Sequence, residues 1–182
     1  MLVCFMGAPS SGKTTIAANV FASLKAQGVS AEFIAERARE VIAKYKYYRS
    51  PILLNDAMQR EILFSQYYSE QYMAASTNNP IISDSSTLLT LAYMSEEFGI
   101  KYKGEIEIIV NEILPKINIV FYCPLVKRQV SDPNRIHSFE ESMAVDEKIK
   151  DILNRYLTKD KVVVLSGDIQ EMTKTCLSRI LT

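Results

Sequence analysis

The chain has 182 residues, 48% of them hydrophobic and 23% charged, with 21 basic residues set against 21 acidic ones. That length suits one ordinary domain, 1–182, and the composition excludes the disordered and membrane classes. Balanced charge excludes a global pull toward nucleic acid or an anionic bilayer and leaves only a local basic patch compatible with such partners.

Short β-rich runs alternate with longer helical patterns, which is the signature of a parallel sheet covered by helices on both faces. The expected class is α/β, a three-layer αβα arrangement with a five-stranded parallel sheet. The first strand is expected over Leu2 to Met6. No run approaches the roughly 20 apolar residues that cross a bilayer, and this stretch reaches glycine and lysine within 13 residues, so it reads as a strand and not a signal peptide.

Directly after it stands Gly7-Ala8-Pro9-Ser10-Ser11-Gly12-Lys13-Thr14-Thr15, leading into a helical pattern. Gly-x-x-x-x-Gly-Lys-Thr between a strand and a helix is the phosphate-binding P-loop pattern. Glycines let successive backbone amides turn into one hollow, and the helix adds its unpaired amides and positive end. In that hollow Lys13 is expected to reach the β and γ phosphates of ATP, and the Thr14 hydroxyl to ligate magnesium. Gly28 is placed to close the first helix.

Because chemistry in open parallel sheets gathers beyond the carboxyl ends of the strands, the residues after each strand carry the argument. After a second strand, Val29 to Ala35, comes "AERARE". Glu36 is a candidate base for an attacking hydroxyl, and Arg37 and Arg39 are candidates to hold the acceptor or an anionic group. The plainer alternative is a helix start favoured by negative charge. "KYKYYRS" follows, interleaving Lys44, Tyr45, Lys46, Tyr47, Tyr48 and Arg49 as a nucleic-acid contact would, or as an amphipathic helix end.

Ser50-Pro51 offers a helix start, and a helix is expected over Ile52 to about Ser76. Gln66, Tyr67 and Tyr68 on it are candidates for an acceptor pocket, with core packing the alternative for the tyrosines. A third strand, Pro80 to Ser83, ends in "SDSST", where Asp84 either orients magnesium and acceptor or caps the next helix. A fourth strand, Ile117 to Cys123, opens onto a proline-broken polar segment carrying Lys127, Arg128 and Arg135. This segment, about 125–138, is expected to act as a lid that excludes water and brings cations to the transferring group. Ser138 and Glu141 fit a capping box for a helix over Phe139 to Leu157, and a last strand is expected over Lys161 to Leu165.

Cys4, Cys123 and Cys176 are widely spaced, which suits buried reduced thiols and a cytoplasmic setting, or the host cytoplasm for a viral protein. With one histidine, His137, and no Cys-x-x-Cys pair, ligands for structural zinc are missing, so any metal is expected to be magnesium arriving with a phosphate.

With "GAPSSGKTT", "AERARE", "SDSSTLLTLAYM" and the basic segment in these positions, the chain resembles the P-loop kinases of the nucleoside and nucleotide kinase superfamily. The resemblance is especially to small proteins of the thymidylate kinase and nicotinamide riboside kinase types. The resemblance implies that Glu36 is the acceptor-binding or general-base carboxylate, that Asp84 is the acidic position after the third strand, and that Arg128 and Arg135 are lid arginines. Many relatives follow that acidic position with arginine, whereas Ser85 stands here, with Arg37, Arg39 or Arg60 as substitutes. A bacteriophage branch similar to these proteins phosphorylates hydroxymethylated uracil within DNA.

The expected function is therefore transfer of a γ-phosphoryl group from ATP to a nucleoside-like acceptor, free, monophosphorylated or embedded in DNA. A nucleotide-dependent switch or ATPase, and an idle nucleotide-binding module, are the readings from other classes. A homodimer stays open, since no apolar stripe separates interface from core.

Overall fold

A computed structural model describes residues 1–48, 55–125 and 138–182. Five parallel strands, β1 (Leu2–Met6), β2 (Glu32–Ile34), β3 (Ile81–Ser83), β4 (Ile117–Tyr122) and β5 (Val162–Val164), form one sheet in the order β2-β3-β1-β4-β5. In register, Val3 pairs with Ile82 on one side and Ile119 on the other. The central strand β1 is buried at every position, which is why it reads as a continuous apolar run with no alternation.

Successive β1 side chains point to opposite faces and seed two cores. Val3 and Phe5 pack with Ile16, Val20 and Leu24 of α1 (Lys13–Ala26) and with Met172, Cys176 and Ile180 of α8 (Ile169–Ile180). Leu2, Cys4 and Met6 face the other way. They meet α4 (Thr87–Ala92), α6 (Lys103–Ile113) and α7 (Phe139–Tyr156) through Leu88, Leu89, Val110, Ile113 and Ile149. This is the expected three-layer arrangement. The fully buried Phe5 lies tilted at 5.3 Å from Phe121 on β4, a burial worth about 1.5–3 kcal/mol.

Every strand after β1 is shorter than expected, β3 and β4 by one residue and β2 and β5 by more. Val29 does not enter β2 because its amide closes the end of α1 on Leu24 O at 3.0 Å, while Gly28, at φ 78°, donates to Lys25 O at 3.0 Å. These are the two bonds of a Schellman closure, and they use the donor a strand would need. Lys161 likewise ends a 3-10 turn, Lys159–Lys161, before β5 begins.

The remaining helices are α2 (Arg37–Tyr47), α3 (Asp56–Ser76) and α5 (Glu96–Lys101). Asn55 caps α3, accepting from Met58 N at 2.9 Å. The anticipated capping box forms at α7, with Glu141 N on Ser138 Oγ at 3.1 Å and Ser138 N on Glu141 Oε2 at 2.7 Å. Arg49, Ser50, Pro51, Ile52, Leu53, Lys127, Arg128, Arg135 and His137 lie outside the described residues. The expected lid and the first turn of the expected long helix therefore cannot be compared with the fold.

Candidate active site

At the carboxyl end of β1 the chain turns through Gly7 to Gly12 into α1. Ser11 N donates to Ala8 O at 3.1 Å, and two residues take left-handed backbone, Ser10 at φ 67° and Gly12 at φ 89°. Gly12 precedes the helix and supplies no side-chain cap, so the first amides of α1 stay available to an anion. Gly7 has no room for a side chain: a Cβ there would lie 2.6 Å from the carbonyl oxygen of Cys123 and against Ser11 Oγ. The loop is thus seated on the end of β4, whose Cys123 N donates to Met6 O at 2.8 Å.

The tips of β1, β2 and β3 bring the candidate side chains together. Lys13, only 6% exposed, lies 3.9 Å from Glu36 Oε2. The same oxygen accepts from Arg39 Nε at 2.8 Å, and Arg39 Nη2 donates to Thr14 Oγ1 at 3.0 Å. Asp84, 3% exposed, lies beside Thr14 and Lys13. Burial pushes the Asp84 carboxyl above its ordinary range and nearby Glu36 adds to the rise, against Thr14 and the charges of Lys13 and Arg39. Burial also raises the Cys123 thiol, to about 12, with Lys13 opposing and Asp84 assisting.

The two acids differ in their plainer roles: Glu36 does stand at the start of α2, whereas the capping role open to Asp84 is filled by Ser86. Glu36 makes no capping bond with its side chain, and Ser86 accepts from Leu88 N at 3.1 Å. Both carboxylates are left facing the phosphate loop. Among the described residues Asp84 Oδ1 and Ser11 Oγ are buried without a partner, two oxygens at the loop in need of a donor or a cation. No cluster of three or more His, Cys, Asp or Glu suited to a metal occurs among the described residues. Magnesium does not require one: it is held by one or two carboxylates with water and substrate phosphates, a donor set that Thr14 and Asp84 fit.

Other candidates sit away from this group. Arg37 turns toward α3 and its own helix, donating from Nε to Ser69 Oγ at 3.0 Å and from Nη1 to Glu40 at 2.9 Å. Gln66 is 1% exposed, accepts from Arg37 N at 3.2 Å and donates to Glu70 Oε1 at 3.0 Å. Its amide is engaged beneath the site. Tyr67 packs with Leu63 and Ile109 and donates to Glu112, while Tyr68 stacks between Phe64 and Tyr72. Arg60 lies over the Tyr102 ring at 5.0 Å and pairs with Glu105. In "KYKYYRS", Lys44 pairs with Glu61 at 2.7 Å, and Tyr47 and Tyr48 are exposed, edge to face at 5.2 Å.

One buried ionisable group was missed in the sequence. Glu70 of α3 is fully buried and accepts four hydrogen bonds, from Gln66 Nε2, Ser83 Oγ, Thr87 N and Thr87 Oγ1. The available signal was positional: Gln59, Leu63, Gln66 and Glu70 recur at spacings of four, three and four, so polar residues occupy a stripe that helical geometry turns inward.

A parallel sheet with a glycine-rich phosphate loop after its first strand and carboxylates at neighbouring strand tips defines a P-loop α/β fold. Within that class the chain belongs to the AAA domain family, whose model matches residues 2–172. No curated protein sequence matches it.

Among solved structures it resembles NadR in complex with NAD and AMP-PNP, at a TM-score of 0.76 and 18% identity over 98% of this chain. The chain spans about half the length of NadR, 49%. It also resembles deoxyadenosine kinase from M. mycoides with dCMP and dCDP, at 0.66 and 16% identity over 100% of this chain and 99% of that one. YorR from Bacillus subtilis, in complex with phosphorylated GDP, matches at 0.61 and 14% identity over 100% and 96%. The described helices include none long and apolar enough to cross a membrane.

Proposed function

We propose that the protein is an ATP-dependent kinase that transfers the γ-phosphoryl group to a nucleoside or nucleoside monophosphate. The observation that carries this reading is the group of Lys13, Glu36, Arg39, Thr14 and Asp84 at three adjacent strand tips, the first four linked by contacts of 2.8–3.9 Å and Asp84 buried beside them. A nucleotide switch or ATPase needs the loop and a magnesium-orienting acid. Glu36 would position water in an ATPase and an acceptor in a kinase, and the acceptor assay below separates the two.

Loop amides and the α1 terminus would bind the phosphates of ATP, with Lys13 placing a positive charge on the transferring group. Thr14 and Asp84 would hold magnesium, which when bound neutralises charge on the phosphate oxygens. Glu36 accepts the proton of a hydroxyl acceptor, and Arg39 keeps that carboxylate oriented through its Nε bond. For a phosphate acceptor no base is needed, and Glu36 orients the group. In this reading Arg128 and Arg135 supply further cations from the segment after β4.

The three buried free thiols support a cytoplasmic setting. The exposed Tyr47 and Tyr48 give reason to include DNA among the acceptors tested.

The test is incubation with labelled ATP and magnesium against nucleosides, nucleoside monophosphates, nicotinamide riboside and DNA carrying 5-hydroxymethyluracil. Label moving to one acceptor class is expected. Release of free phosphate at one rate with every acceptor would replace the kinase by an ATPase.

A further inference from the structure

The β2 and β3 strands run side by side with Ile34 opposite Ser83, and their ladder ends where Asp84 N donates to Ile34 O at 2.8 Å. Glu36 stands two residues beyond Ile34, past the last ladder bond. Something else must fix the chain there if Glu36 and Asp84 are to keep one spacing.

A buried polar chain takes over where the ladder stops. Arg37 N, next to Glu36, donates to Gln66 Oε1, and Gln66 Nε2 donates to Glu70 Oε1 and to Ser83 Oγ. Ser83, next to Asp84, donates to the same Glu70 oxygen at 3.1 Å. The other Glu70 oxygen receives Thr87 N at 3.1 Å and Thr87 Oγ1 at 2.6 Å at the start of α4. Polarity is set along the whole chain. A backbone N–H can only donate, so Gln66 must present its oxygen to Arg37 and its NH2 to Glu70, and position 70 must then accept on both arms.

We propose that Glu70 is a positioning residue: through Gln66 and Ser83 it ties the segment after β2 to the tip of β3, holding Glu36 and Asp84 at the spacing phosphoryl transfer requires. The chemical part rests on the kinase reading above, whereas the coupling of the two strand ends does not. Glu70 touches no reacting atom. Its full burial inside α3, beneath the site, places it where a shift of the α2 start would be felt at Glu36. Buried networks of this kind act as a unit, since one reversed group leaves its neighbours facing donor against donor.

Glu70→Gln tests this with little change in shape. The amide can still accept both Thr87 bonds, but its NH2 then faces Gln66 Nε2, and Gln66 cannot turn over without abandoning Arg37 N. Amide exchange at Arg37, followed by NMR, is expected to accelerate about tenfold, as for a buried donor that loses its acceptor, while Val20 and Leu24 of α1 stay protected. Turnover with the best acceptor should fall about 10- to 100-fold, the order produced by small misplacements of reacting groups. Affinity for the ATP analogue, measured by calorimetry, should stay within about threefold because the loop is untouched.

The double variant Gln66→Glu with Glu70→Gln reverses both members. The carboxylate at 66 then accepts from Arg37 N and from the amide at 70, whose oxygen keeps Thr87, so Arg37 protection and turnover are both expected to return. An unchanged Arg37 amide in Glu70→Gln, or a double variant no better than the single one, would overturn the coupling. Wild-type turnover retained in Glu70→Gln with Arg37 already deprotected would overturn the link to chemistry. A wild type that phosphorylates no acceptor would instead refute the kinase reading, and Arg37 exchange would still decide the coupling.

Discussion

Replacing Asp84 with asparagine tests the most costly group of the site. The side chain is 3% exposed, one carboxylate oxygen is buried without a partner, and burial holds the carboxyl above the ordinary value of 3.8. A carboxyl raised by folding binds its proton more tightly in the folded state. The stability tied to it is complete below the unfolded value and is lost as pH rises through the folded one. Asp84→Asn removes that loss. An orphaned buried acceptor costs about 1–3 kcal/mol, and the amide keeps part of that cost, so a gain of about 1–2 kcal/mol is expected for the ligand-free protein at neutral pH. At 2–4 °C per kcal/mol for a chain of this size, the midpoint should rise by roughly 2–8 °C. With a magnesium-ATP analogue the order should invert. A ligand at about 100 times its Kd adds ~2.7 kcal/mol to the wild type, and the variant forfeits the magnesium-dependent share. Thermal unfolding from below the ordinary value of 3.8 up to neutral pH, with and without magnesium, reads both effects. A ligand-free variant less stable than wild type, a difference that does not widen with pH, or an undiminished magnesium increment would refute this account.

Lys13→Ala should lower phosphoryl transfer at least ~10²-fold by removing the cation aimed at the transferring group, read as initial rates with labelled ATP. Glu36→Gln should lower kcat by ~10²–10⁴ with a hydroxyl acceptor while leaving nucleotide affinity nearly unchanged, and equal rates in the variant would remove the residue from proton transfer. Gly7→Ala drives a methyl group against the Cys123 carbonyl at 2.6 Å, so a loss of about 1–3 kcal/mol in chemical denaturation is expected together with weaker nucleotide binding.

The strands, the phosphate loop and the α7 capping box were legible because each is specified locally, by apolar runs, by glycines at required positions or by a serine and a glutamate three residues apart. The placement of Glu36 and Asp84 at strand tips was legible for a related reason, since a parallel sheet delivers strand ends to one edge. The pairings were not. Arg37 looks like a free cation beside Glu36, yet its side chain is claimed by Ser69, 32 positions along, and Gln66 looks like a pocket group until Ser83 and Glu70 close around it. Such partners depend on how α3 crosses β2 and β3, a tertiary fact that no window of local sequence contains. The exact ends of β2 and β5 escaped for a smaller reason: the backbone donors there were already committed to the Schellman closure and the 3-10 turn.

The seat of Gly7 on the Cys123 carbonyl has a thermodynamic consequence. A glycine-rich loop in solution would surrender much backbone freedom on meeting a polyphosphate, and that entropy would be subtracted from affinity. Here the first turn is immobilised by the sheet during folding, so the ordering cost is met before any ligand arrives. Affinity and global stability are thereby coupled at this one residue, and they should rise and fall together across substitutions there.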